Sequence, residues 1–145
     1  MTRDLPDLAA MDAFGRAIAA QLQPGDVVAL SGGLGAGKTT LARAMLAGLG
    51  HEGEVPSPSF TILETYDGLR LPVVHADFYR LDHPDEAEEL GLDFYREGAA
   101  MIAEWPENAG GFAGDPQCLS IRLEIADGGR KAIVEAGEAW LDRLP

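Results

Sequence analysis

Apolar residues recur at spacings of three and four through Leu8, Met11, Phe14, Ile18 and Leu22, which predicts an amphipathic helix over Asp7 to Leu22. Pro24-Gly25 then turns the chain. Val27 to Leu30 is a short uninterrupted apolar run, the pattern of a strand buried on both faces. After the glycine-rich stretch Ser31 to Gly37 the helical period returns in Leu41, Met45, Leu46 and Leu49, a second helix over Thr39 to Leu49 stopped by Gly48 and Gly50. His51 to Ser59 reads as a loop and Phe60 to Tyr66 as a strand. Asp67-Gly68 is a hairpin signal, with Leu71 to His75 as the returning strand.

The second half repeats this alternation. Asp82 to Glu89 is densely acidic and predicts a solvated helix. Ala100 to Ala103 is another buried run, ending on Glu104-Trp105, and Asn108 to Pro116 is a Gly/Pro loop. Leu119, Ile121, Leu123 and Ile125 alternate with polar residues, a half-buried strand that Asp127-Gly128-Gly129 turns back into Lys131 to Glu135. A short helix to Leu144 is expected at the end. Helices and strands in this order, mixed around a glycine stretch, Gly32 to Thr39, with the G-x-x-x-x-G-K-[ST] spacing of a phosphate loop, predict a single α/β domain over residues 1–145, three-layered and P-loop NTPase-like, with a mixed, partly antiparallel sheet.

Charge narrows the functional classes. Eleven basic residues against 24 acidic ones give a net charge of −13. Gripping a phosphate backbone needs clustered Lys and Arg, so any contact with nucleic acid is expected to run through a partner. The one cysteine, Cys118, allows no intrachain disulfide, which fits a reducing cytoplasm. The first dozen residues lack the basic start and apolar run of a signal peptide, and no run approaches the ~18 apolar residues of a membrane span.

Gly32-Gly33-Leu34-Gly35-Ala36-Gly37-Lys38-Thr39 matches G-x-x-x-x-G-K-[ST], and it lies between a predicted strand and a predicted helix, as that phosphate-binding pattern requires. The glycines let successive N–H groups converge on phosphate oxygens, and the helix start adds its positive dipole end. Lys38 supplies a full charge to the β and γ phosphates, and Thr39 offers a hydroxyl to Mg²⁺. A guanine-reading N-K-x-D motif is excluded, because the other lysine, Lys131, follows Arg130. ATP is therefore the expected nucleotide. Phosphoryl chemistry also needs acids at strand ends beside the loop, and Asp77 and Glu104 stand at such places; a turn cap and a solvated strand end are their plainer readings. Trp105 would cover the nucleotide or belong to the core. Trp140 and Cys118 read as packed residues, His75 as a catalytic residue or a packed, hydrogen-bonded one, and the run Asp85 to Glu89 as a solvated face or a docking surface for a basic partner.

Together these segments resemble the TsaE family, the small P-loop ATPases of bacterial tRNA threonylcarbamoyladenosine biosynthesis. The resemblance runs nearly end to end through Gly32 to Thr40, Ser57-Pro58-Ser59-Phe60-Thr61, His75 to Leu81, Gly91 to Tyr95, Glu104-Trp105 and Gly129-Arg130. It implies a cofactor-binding set of Gly33, Leu34, Gly35, Ala36, Gly37, Lys38, Thr39, Thr40, Ser59, Trp105 and Arg130. Lys38, Asp77 and Glu104 would carry catalysis, with Thr39, Asp77 and Glu104 around Mg²⁺. Which acid serves metal and which serves water stays open, and Ser59 or Thr61 would sense the γ-phosphate. The implied activity is an ATPase, weak alone and stimulated by a TsaB–TsaD pair, whose modification of tRNA it would reset between turnovers. Gly33 stands where the family carries an acid, Ser59 where it carries a threonine, and Met11 where many members carry a threonine near the nucleotide. A small-molecule kinase would bring an arginine-rich lid, which the scattered arginines do not form; a nucleotide-gated assembly factor with incidental hydrolysis is the third reading.

Overall fold

The computed structural model describes residues 1–56 and 63–145. The expected switch-like segment, including Ser59 and Thr61, and the first part of the strand expected from Phe60 lie outside the described residues.

The strands are β1 (Thr2–Leu5), β2 (Val27–Ser31), β3 (Leu63–Tyr66), β4 (Val73–Asp77), β5 (Ala100–Glu104), β6 (Cys118–Ala126) and β7 (Gly129–Ala136). Among the described residues they form one sheet in the order β1-β7-β6-β2-β5-β4-β3. The centre, β6-β2-β5-β4, is parallel, and its middle strands read as unbroken apolar runs because helices or turns cover both faces. The antiparallel pairs β6–β7, β1–β7 and β3–β4 lie at the two sides.

Side chains alternate between two cores. On one face Val28, Leu30, Ile102, Leu119 and Ile121 pack beneath α1 (Leu8–Gln21) and α2 (Lys38–Gly48). On the other Val27, Ala29, Val74, Ala76, Met101 and Ala103 meet Phe78, Leu81, Ala87 and Trp105 around α3 (Asp85–Glu89) and α4 (Leu92–Arg96). These are the expected three layers. Asp7 begins α1 where the periodicity does, its carboxylate accepting from Ala10 N at 2.8 Å. At the other end Arg70 donates to the carbonyls of Ala19 and Leu22, closing the helix with a cation. The two helices approach closely: a Cβ added to Gly15 would lie 2.4 Å from that of Ala44.

Four expectations need correction. β1 was not foreseen; it is an edge strand of mixed polarity, held by pairing with β7. The acidic helix is only Asp85–Glu89, because Pro84 stands at its N-terminal boundary, and α4 follows it after Gly91 in the left-handed conformation. The return strand starts at Val73 rather than Leu71 and runs through Asp77, since its pairing with β5 continues to the register Asp77↔Glu104. The C-terminal helix to Leu144 is a single 3₁₀ turn, Glu138–Trp140. Side chains pin it there: the Trp140 indole N–H donates to Gln117 O at 2.8 Å, and Arg143 forms a bidentate pair with buried Asp26 at 2.6 and 2.7 Å.

Candidate functional site

The loop after β2 turns on glycines with different duties. Gly32 has φ 134°, and a Cβ there would fall 2.4 Å from the carbonyl oxygen of Leu123 in β6. Gly37 has φ 106° and begins α2 in the left-handed region, which directs backbone N–H groups of the first turn into the loop. At Gly33, by contrast, a Cβ would meet nothing within 4 Å, so the acid of the family pattern would fit there sterically.

Lys38, the first residue of α2, is 6% exposed. Its ammonium donates to the carbonyls of Gly32 and Gly33, both at 2.8 Å, and lies 4.4 Å from the centroid of the Trp105 ring. Burial pushes this lysine below its usual 10.5, against the pull of Glu104, Asp77 and Glu107. Thr39 donates its hydroxyl to Glu104 Oε1 at 2.8 Å. The strand ends thus bring both predicted acids to the loop: Glu104 closes β5, and Asp77, its register partner, closes β4. Burial raises the Asp77 carboxyl above its ordinary value; the Tyr79 N–H, donating to Oδ1 at 2.9 Å, opposes that rise, while Glu104 adds to it.

Trp105 is the one non-glycine residue with positive φ among the described residues, at φ 56° and ψ 51°. A bulky side chain in this region costs about 1–3 kcal/mol and persists only where surrounding bonds hold it. Trp105 N donates to Leu30 O at 3.1 Å, Phe78 N donates to Glu104 O at 3.0 Å, and Pro106 follows. The ring turns toward Lys38 and Tyr79, whose ring centroid is 5.0 Å away. Trp105 packs on the second core, as one of its two readings expected, and its ring also faces the lysine of the loop.

These groups line a cleft of about 440 Å³ that includes Leu34, Gly35, Gly37, Lys38, Thr39, Thr40, Asp77, Glu104 and Trp105. A second cleft of about 290 Å³ lies across the loop, between Leu5, Met11, Gly35, Thr40 and Arg130. Arg130 was grouped with the cofactor residues; its guanidinium donates to Ala36 O at 3.1 Å and Gly35 O at 3.0 Å, so it braces the loop's outer turn. A larger hollow of about 810 Å³, between α1, α2 and residues 51–56, contains neither acid and meets the loop region only at Thr40. Ser59 and Thr61, either of which was expected to sense the γ-phosphate, lie outside the described residues.

Sequence reasoning missed the role of His75. It is packed and hydrogen-bonded, as read, but its partner is the site: Nε2 lies 2.6 Å from Glu104 Oε2. The signal was its placement two residues before Asp77, which puts both side chains on one face of β4.

The profile described as Threonylcarbamoyl adenosine biosynthesis protein TsaE matches residues 5–133. The chain belongs to the TsaE family. The Haemophilus influenzae TsaE is 36% identical over 136 residues, covering 90% of this chain and 85% of that protein. The Streptomyces coelicolor TsaE is 46% identical over 100 residues, covering 67% and 68%. The crystal structure of Bacillus subtilis YdiB superposes with a TM-score of 0.78 at 30% identity, over 97% of this chain and 88% of that one. These TsaE relatives carry the name tRNA threonylcarbamoyladenosine biosynthesis protein. Among the described residues no helix is long and apolar enough to cross a membrane.

Proposed function

We propose that the chain is an ATPase of tRNA threonylcarbamoyladenosine biosynthesis, binding MgATP on Gly32 to Thr40 and hydrolysing it in support of a TsaB–TsaD pair. The observation that carries this reading is the contact of Thr39 Oγ1 with Glu104 Oε1 at 2.8 Å, next to a buried lysine on a glycine loop. A nucleotide phosphate entering the cleft offers Lys38 a full anion in place of two neutral carbonyls. That exchange is favourable because both partners then carry opposite full charges, and their attraction is strengthened in a cleft shielded from water.

The donor set fits Mg²⁺, which takes one or two carboxylates and completes its shell with substrate phosphates and water. Thr39 and Glu104 would hold it, with Asp77 beside them. When bound, the ion neutralises charge gathering on the β and γ phosphates. The chain's own residues do the rest. The loop N–H groups and Lys38 orient the phosphates. Glu104 keeps the Thr39 hydroxyl turned toward the site. Asp77, whose proton affinity burial raises, is suited to accept a proton from the attacking water. The cleft beside Met11 and Arg130 gives the nucleoside a place where the chain passes Thr40. The net charge of −13 leaves tRNA contact to partners.

Calorimetric titration with MgATP tests the first step. The wild-type chain should bind, Lys38→Ala should bind at least about 10²-fold more weakly, and Asp77→Asn should bind without turning ATP over. Equal binding by Lys38→Ala would remove the loop from the account.

A further inference from the structure

His75 and Glu104 form a pair that the proposed chemistry does not yet use. Both are buried, at 0% and 2% exposure, and their Nε2···Oε2 distance is 2.6 Å. Nδ1 of the same ring is buried and has no hydrogen-bond partner among the described residues. An apolar side chain at this position would avoid that cost. A buried polar atom left unsatisfied calls for a reason, and the reason here lies on the other nitrogen. The proton belongs on Nε2, where it is donated to Glu104. Nδ1 is then a bare acceptor, which proteins tolerate better than an orphaned N–H.

The geometry of Glu104 shows what the bond does. Oε1 accepts from Thr39 in α2 and Oε2 accepts from His75 in β4, so the carboxylate is held from two elements at once. With only one anchor it would rotate about its last torsion. Lys38 feels Glu104 more strongly than any other carboxylate, and the untethered group would be drawn toward that ammonium. We propose that His75 is a positioning residue, whose Nε2–H fixes the Glu104 carboxylate beside Thr39 in the orientation that receives a divalent cation. The proposal rests on the reading of Thr39 and Glu104 as the metal side of the site. It adds that His75, which touches neither nucleotide nor metal, sets metal affinity from behind. Hydrogen-bond partners behind a metal ligand characteristically control affinity in this way.

The test compares His75→Leu and His75→Gln with the wild-type chain. Three quantities are measured: Mn²⁺ affinity in the presence of ADP by electron paramagnetic resonance, ATP turnover, and urea stability. His75→Leu should weaken Mn²⁺ binding and lower kcat by about 10-fold or more each, with little change in the affinity for ADP alone. His75→Gln, whose amide N–H can reach the same oxygen, should recover most of both. Mn²⁺ affinity and turnover unchanged in His75→Leu would overturn the proposal. So would equal losses in Leu and Gln that follow their losses of stability, which would make His75 a packing residue. A wild-type chain that binds Mn²⁺ with ADP but turns over no ATP would refute the ATPase reading, while the Mn²⁺ series would still decide the role of His75. A wild-type chain that binds no Mn²⁺ with ADP would refute both.

Discussion

The Lys38 ammonium rests against the Trp105 ring, 4.4 Å from its centroid, while donating to the carbonyls of Gly32 and Gly33. A cation over an indole face contributes about 0.5–2 kcal/mol depending on how far it is desolvated. On the proposed reading a bound phosphate would redirect that charge and so change the environment of Trp105. Titration with MgADP should shift the indole emission of the wild-type chain. Trp105→Phe should bind and lose the shift, since Trp140 is fully buried. A shift that survives in Trp105→Phe would place the response elsewhere.

Thr39 and Glu104 are joined by a 2.8 Å hydrogen bond, so their substitutions should not add. Thr39→Ala and Glu104→Gln should each lower Mg²⁺-dependent turnover by about 10²-fold or more. The double variant should be little worse than the more damaged single one, because residues that act as a unit are strongly non-additive. Multiplying losses in the double variant would show two independent roles.

Asp77 makes a prediction for the chain without ligand. Its folded value is raised above the ordinary 3.8, chiefly by burial. Between those two values the native state holds more protons than the unfolded one. Stability therefore falls as pH rises through that window and levels off above it. Asp77→Asn keeps an oxygen for the Tyr79 N–H and removes the titration. Urea midpoints measured from about pH 4 upward should show the variant gaining on the wild type until the raised value is passed. Parallel profiles would mean that the carboxyl is solvated.

At the far end of the sheet Arg143 holds buried Asp26 through two bonds and covers the Trp140 ring, its guanidinium carbon 4.2 Å from the centroid. Arg143→Ala would leave the buried Asp26 carboxylate without its cation, held only by the Gln23 N–H and the Gln117 amide, and should cost about 3–5 kcal/mol in urea unfolding. Nucleotide affinity of the remaining folded protein should be unchanged. A loss below about 1 kcal/mol, the worth of one ordinary hydrogen bond, would show that the Gln23 N–H, Gln117 or water carries the carboxylate without the cation.

Much of this was legible from residue pattern because parallel central strands and amphipathic helices leave strong signatures. Val27–Ser31 and Ala100–Glu104 are unbroken buried runs, and α1 and α2 carry their apolar faces at helical spacing. The glycine loop, Lys38 and the strand-end acids came with them, since their chemistry demands those positions. What escaped was structure written in pairing rather than in hydrophobicity. β1 is an edge strand containing Arg3 and Asp4, α4 is too short to show a period, and the C-terminal turn is fixed by Asp26 some 117 residues earlier. The contacts of His75 with Glu104 and of Arg130 with the loop carbonyls escaped for the same reason, since no local pattern encodes them.

The central claim is tested most directly by Mg²⁺-dependent ATP hydrolysis with the purified chain, alone and with TsaB–TsaD from the same source, with Lys38→Ala as control. The account predicts slow turnover alone, a clear rise with the pair, and loss of both in Lys38→Ala. Turnover that the pair leaves unchanged, or that survives in Lys38→Ala, would contradict it.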